Sequence, residues 1–198
     1  ATPPSRPPGP PLLPEPAEPI TRGRFGKALD ARLRQLVTAG TLEIRKPPLT
    51  IEAWVRLGSS NQFNILVASE AKTSPTHWEL YTYAGDGTLS FFAPAVVPQE
   101  IRSRAPICDG RWHHVAAWYS SREIRLFVDG RMVAEQPIDR RHDATRGAAQ
   151  LAVGRLVEGG LGCDGLIESV RISRGARPES LFGTQALAAD AQTLGIWT

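Results

Sequence analysis

The chain predicts an all-β fold, an antiparallel two-sheet β-sandwich (jelly roll), and three observations carry that expectation. Trp112 to Tyr119 and Glu123 to Val128 are alternating apolar runs joined by a short polar segment, and Asp129-Gly130 after them is a strong turn signal. Apolar runs elsewhere rarely exceed strand length, with proline and glycine punctuating the gaps. Helical patterning is scarce. Many short strands at regular spacing are what a sandwich or jelly roll requires.

In chain order, strands are expected at Thr41 to Arg45, Thr50 to Leu57, Phe63 to Ser69, Trp78 to Tyr83 and Thr88 to Phe92. They continue at Trp112 to Tyr119, Glu123 to Val128, Arg131 to Glu135, Gln150 to Val153 and Leu166 to Ile172. Gly85-Asp86-Gly87 reads as a tight hairpin. Within the sixth strand, Trp112, His114, Ala116 and Trp118 fall on one face and His113, Val115, Ala117 and Tyr119 on the other. A short turn or helix is expected over Ala28 to Leu36, and another at Pro178 to Phe182 with proline at a permitted first position.

The run Asp109-Gly110-Arg111-Trp112-His113-His114-Val115-Ala116, followed by Leu126-Phe127-Val128-Asp129-Gly130, resembles the laminin-G-like, concanavalin A-like domain family. Further segments match in the expected order: Arg24 to Leu29, Leu49 to Val55, Leu151 to Gly154, and Gly165 to Arg174, which is similar to the family's closing strand. The resemblance runs from Phe25 to Pro178 and implies a jelly roll of two antiparallel sheets. Its motifs describe strands and turns, so they imply much less about function. The tail Thr193-Leu194-Gly195-Ile196-Trp197 is similar to a segment that often opens laminin-G-like units. Here it either completes this domain's sheet or begins a neighbouring unit.

A chain of 198 residues, 41% of them hydrophobic, suffices for one sizeable domain. Residues 1–22 are expected to be a proline-rich extended arm, and 23–198 the jelly-roll domain with its C-terminal tail. Proline fixes φ and removes backbone donors, so the arm should be polyproline II in character. Such a stiff segment suits docking on a partner, with Leu12 and Leu13 as anchors and Trp197 of the tail as a further contact. The net charge of +3 is mild, and no basic run is interleaved with aromatics, which argues against a nucleic-acid partner. No stretch approaches the roughly 20 apolar residues that span a membrane. The sole methionine is Met132, so Ala1 is expected to be the start of a mature or truncated chain.

Cys108 and Cys163 each precede Asp-Gly at the entrance to a strand. The matched contexts favour a disulfide over two unrelated buried thiols. In the chain-entropy view that bond would contribute about 4 kcal/mol. It would also imply an oxidising compartment and hence an exported, periplasmic or extracellular protein.

Catalytic constellations are not found. Glycosidases on this scaffold carry carboxylates in a Glu-x-Asp-x-x-Glu run on one strand, which this chain lacks, and Glu168 sits alone. His113 and His114 point to opposite faces and cannot converge on one ion. His77 and His142 have no cysteine or carboxylate at metal-ligand spacing. Calcium is the cofactor most worth weighing, and Asn61, Asn64 and Asp129 are oxygen donors in loop-like places. Asp86, Asp109 and Asp164 are the weak calcium candidates, although turn formation explains each Asp-Gly without a metal. Trp54, Trp78, Trp118 and Tyr119 stack on a sugar, pack a partner, or fill the core.

The leading functional expectation is a non-catalytic exported interaction module, an accessory subunit contacting other proteins in an assembly. The alternative is a carbohydrate-binding module, calcium-assisted in one version. A polysaccharide-cleaving enzyme ranks third. An exposed aromatic row in a groove favours carbohydrate, and burial of the arm and Trp197 against another chain favours assembly.

Overall fold

The computed structural model describes residues 20–38, 40–141, 147–177, 182–183 and 185–198. Their strands, in chain order, are β1 (Ile20–Arg22), β2 (Lys27–Asp30), β3 (Leu36–Val37), β4 (Leu49–Leu57), β5 (Asn64–Ser69), β6 (Trp78–Thr82), β7 (Thr88–Phe92) and β8 (Val96–Val97). There follow β9 (Glu100–Pro106), β10 (Trp112–Tyr119), β11 (Glu123–Val128), β12 (Arg131–Pro137), β13 (Asp139–Arg140), β14 (Leu151–Val153), β15 (Gly165–Arg174) and β16 (Thr193–Trp197). Among the described residues no element is a helix long and apolar enough to cross a membrane.

Eight strands form the larger sheet in the order β1-β2-β15-β4-β10-β11-β12, with β16 also on β15, and six form the second in the order β3-β14-β5-β6-β7-β9. Every pairing is antiparallel, as an all-β jelly roll requires. One side of β15 is taken by β4 along its whole length, while its other side pairs with β2 at Leu166 and Ile167 and with β16 from Val170 to Ser173. The tail therefore completes this domain's own sheet.

The core lies between the sheets. Alternation on β4 sends Leu49, Ile51, Ala53, Val55 and Leu57 inward, where they meet Leu66, Trp78, Leu80, Leu89 and Phe91 of the second sheet. Trp78 satisfies its indole by donating to the Ile44 carbonyl at 3.0 Å. Asp129 and Gly130 both take positive φ, 49° and 78°, closing the β11–β12 hairpin as their turn chemistry demands.

The reverse face of the larger sheet is also covered. Glu52, Trp54, His114 and Arg171 lie there, buried beneath the chain that follows β15. Trp54 donates its indole proton to the Gln185 carbonyl at 3.1 Å, Arg171 donates to the Ala188 carbonyl at 2.7 Å, and Phe182 packs on His114 and Phe127.

Several elements differ from the sequence expectation. Thr41 to Arg45 is no strand, because only Leu42 makes a bridge there, to Ala149. Ala28 to Leu36 is not a helix: its first residues pair with β1 and β15 inside a sheet, and tertiary pairing overrides local propensity. Ile20 to Arg22, assigned to the arm, is strand β1. Strand β9 had not been foreseen, although Ile101 and Ser103 face inward between outward Glu100, Arg102 and Arg104. Leu12 and Leu13 lie outside the described residues, as do 178–181 of the expected C-terminal helix, while Phe182 sits in a turn.

Candidate functional site

The outer face of the six-stranded sheet carries an aromatic patch. On β6, Trp78, Leu80 and Thr82 face the core, so Glu79 and Tyr81 face out, and Tyr83 continues the outward series. Register then assembles rows across strands. Glu79 stands opposite Phe92 and Phe92 opposite Glu100, while Tyr81 is flanked by Ile65 on one side and by Ser90 and then Arg102 on the other. Phe63, just before β5, meets Tyr83 edge-on at 5.1 Å between ring centroids and Tyr81 at 6.1 Å.

These rings form an apolar cluster with Ile65, Ala68 and Leu156 that is separate from the main core. Phe63, Tyr83 and Phe92 are only half-buried, and Leu161 beside them is exposed. A cavity of about 190 Å³ opens above the patch, walled by Lys72, Glu79, Glu100 and Leu161.

Charged groups border the rings. Lys72 donates to Glu79 at 2.9 Å and rides 5.2 Å above the Phe92 ring. His77 gives its Nδ1 proton to the Ser69 carbonyl at 2.7 Å and turns Nε2 toward Glu79, 3.5 Å away. Burial pushes the Glu79 carboxyl up, but the contacts with His77 and Lys72 outweigh it and hold the group below the ordinary glutamate range. Glu79 Oε2 and His77 Nε2 nonetheless have no hydrogen-bond partner. The two atoms face each other, sealed from solvent, so the pair closes the inner side of the wall while Lys72 and Glu100 present the polar groups at its rim.

Tyr81 donates its hydroxyl proton to Glu100, and burial followed by that carboxylate pushes the phenol well up. Arg102 sits over the Tyr83 ring, its Cζ 3.3 Å from the centroid, and pairs with Asp86 at 2.6 Å. The face thus offers ring surfaces for an apolar plane and fixed hydrogen-bonding groups around them. That combination suits a ligand with one apolar face and a hydroxylated edge.

The residues singled out in the sequence lie elsewhere. Trp54, Trp78 and Tyr119 are buried, and Trp118 is half-buried on the reverse of the larger sheet, so these four do not form a row. The bond expected between Cys108 and Cys163 is absent: both are free thiols. Cys108 instead faces Thr82 and Asn64 at 3.7 Å each, and Asn64 accepts from the backbone of Asp164 at 2.8 Å. The matched Cys-Asp-Gly contexts mark two strand entrances on either side of one asparagine.

The calcium candidates do not converge. Asp86 is occupied by Thr88 and Arg102, Asp109 by the Arg111 backbone and His113, and Asp129 by His113 and the His114 backbone. Among the described residues no three acidic, histidine or cysteine side chains group to hold a metal ion. Trp197 lines a different opening, an apolar cleft of about 380 Å³ at the edge where β2 gives way to β16, with Ile20, Leu29, Leu36 and Ile167. Glu168 accepts three backbone protons from Arg24, Phe25 and Gly26 and fixes the β1–β2 turn.

Sequence reading missed Phe63, Glu79, Tyr81, Tyr83, Phe92 and Glu100. The available signal was Trp78-Glu79-Leu80-Tyr81-Thr82-Tyr83, whose alternation separates a Trp-Leu-Thr face from a Glu-Tyr-Tyr face.

A laminin G-type family model, described as the concanavalin A-like lectin/glucanases superfamily, matches residues 34–180. The chain belongs to that superfamily. Among solved structures, this superfamily member resembles the Ruminococcus gnavus IT-sialidase CBM40 bound to α2,3-sialyllactose, with 17% identity and a TM-score of 0.53 over 71% of this chain and 81% of that one. Domain 4 of the extracellular arabinanase AbnA from Geobacillus stearothermophilus, in complex with arabinotriose, is similar at 17% identity and a TM-score of 0.52, covering 81% and 77%. Domains LG4-5 of the mouse laminin α1 chain match at 18% identity and a TM-score of 0.52, covering 70% of this chain but only 38% of that one. At these identities the likeness shows the fold alone. No curated protein matches the chain in sequence.

Proposed function

We propose that this domain is a carbohydrate-binding module that holds a glycan on the aromatic face of its six-stranded sheet. One observation carries the reading: half-buried Phe63, Tyr83 and Phe92 border a cavity whose rim carries the Lys72 ammonium and the exposed Glu100 carboxylate. Sugar C–H faces pack on such rings, and the hydroxyls meet the charged edge. The module is non-catalytic in this reading, because Glu79 is held below the ordinary glutamate range, where a general acid must keep its proton, and Glu100 accepts the Tyr81 hydroxyl proton. The sialyllactose-bound and arabinotriose-bound neighbours support a glycan ligand, and the extracellular neighbour an exported one.

The test is a glycan panel read by isothermal titration calorimetry, with Phe92→Ala and Tyr83→Ala compared with the parent. Losing one stacking ring, worth about 1 kcal/mol beyond its buried area, should weaken binding by five- to tenfold or more. Unaltered affinity in both variants would place the ligand elsewhere.

A second reading keeps protein contact in view, because the apolar cleft containing Trp197 is lined by Ile20, the residue at which the proline-rich arm joins β1. Deleting residues 1–19 should weaken co-purification with a partner if that reading holds.

A further inference from the structure

Resting on the glycan reading, we infer that the ligand of this face is a neutral sugar, not one bearing a carboxylate. The groove has its charges already matched, with an excess of acid. Lys72 is engaged by Glu79 at 2.9 Å, and its backbone N–H is held by Glu158 at 3.0 Å. Arg102 is engaged by Asp86 at 2.6 Å and sits over the Tyr83 ring. Glu100 adds a third carboxylate on the same face, with the Tyr81 hydroxyl as its partner. Arg102 and, two residues further along the same face of β9, Arg104 both lie outside the cavity's lining.

Within the cavity's lining a sialic or uronic acid would bring its carboxylate against two acids, Glu79 and Glu100, and a single cation, Lys72, that is already engaged. Binding would require Lys72 or Arg102 to leave its present carboxylate, and the abandoned acid, Glu79 above all, is buried. Stripping a buried charge of its partner is the costly event in such exchanges. Hydroxyl groups meet the opposite situation. A sugar hydroxyl can donate to the exposed Glu100 carboxylate and accept from the Lys72 ammonium, whose side chain is 41% exposed. The cluster is therefore built to give and take hydrogen bonds while remaining electrically closed.

The experiment titrates the full chain by calorimetry with neutral probes (arabinotriose, maltotriose, lactose) and with carboxylated ones (α2,3-sialyllactose, trigalacturonic acid). The expected result is binding to at least one neutral probe, with every carboxylated probe at least tenfold weaker. That binding should also hold within twofold between low and roughly 0.5 M salt, where exposed charge interactions are screened. A second measurement uses Glu79→Gln and, in case that buried change impairs folding, the exposed Glu100→Gln. Removing an acid should raise the affinity for sialyllactose relative to lactose by threefold or more in the folded variant. Tighter binding of the carboxylated probes by the parent chain would overturn this inference and leave the glycan reading intact. If neither probe set binds, the glycan reading fails and the inference with it.

Discussion

Replacing Glu52 by Gln should destabilise the domain by about 3–5 kcal/mol, the usual cost of removing one partner from a buried ion pair. Glu52 is fully buried on the reverse of the larger sheet. Arg171 reaches it through two parallel N–H bonds of 2.8 Å, Arg177 Nε lies 3.5 Å away, and His114 Nε2 lies 3.4 Å away. Glutamine preserves the shape but removes the charge and one acceptor, so Arg171 loses one charge-assisted hydrogen bond worth about 1.5–3 kcal/mol, sets that N–H against the amide NH2, and keeps the other bond in weakened form, with the buried guanidinium left uncompensated. The loss does not stop at the sheet, because Arg171 and Arg177 also clamp the overlying chain through the Ala188 carbonyl and Asp190. Chemical denaturation should show a lower midpoint with an unchanged slope, and hydrogen exchange should quicken over residues 185–192. The double change Glu52→Leu with Arg171→Leu should recover most of the loss, since an apolar pair of similar volume often substitutes for a buried ion pair. A single variant within 1 kcal/mol of the parent, or a double variant less stable than either single, would refute the reasoning.

Two further outcomes follow from the titratable groups. Burial pushes both thiols up, Cys163 most strongly, so alkylation of the native chain at pH 7 should be slow, should reach half-buried Cys108 first, and should accelerate as the pH rises; intact mass after denaturation should then show two reactive thiols. Glu79 has its folded value lowered, so its contribution to stability is complete above the unfolded glutamate value of about 4.3 and is lost as pH falls through the folded value; a chain that unfolds no more readily at pH 3 than at pH 6 would contradict that pairing.

Strands whose signal is local were legible. Trp112 to Tyr119, Glu123 to Val128 and Thr88 to Phe92 fall where alternation and turn chemistry put them, and Asp129-Gly130 turns as its composition requires. What failed depended on distant partners. Lys27 to Asp30 is a strand only because β15 offers an edge to it, and β1 only because β2 then offers another. The cysteine pair misled for a related reason: equal local contexts mark equal positions at strand entrances, while bonding depends on where each sulfur points, and Cys108 points to Thr82 and Asn64.

The candidate site was hidden by the direction in which acids were sought. A Glu-x-Asp-x-x-Glu search runs along one strand, but Glu79 and Glu100 meet across strands, on either side of Phe92. Two backbones separated by one strand lie roughly 9–10 Å apart, near the spacing at which paired carboxylates cleave glycosides with inversion. Spacing alone would therefore admit an enzyme on this face. In the proposed binding reading the neighbours of each acid weigh against it, since Lys72 and His77 hold Glu79 below the ordinary glutamate range where a general acid must keep its proton, and Glu100 accepts from the Tyr81 hydroxyl. Substituting Lys72 and His77 would remove the groups that hold Glu79 low and leave burial to raise it. On the proposed glycan-binding reading, the difference between holding a glycan and hydrolysing it resides in residues that neither motif spacing nor strand alternation identifies.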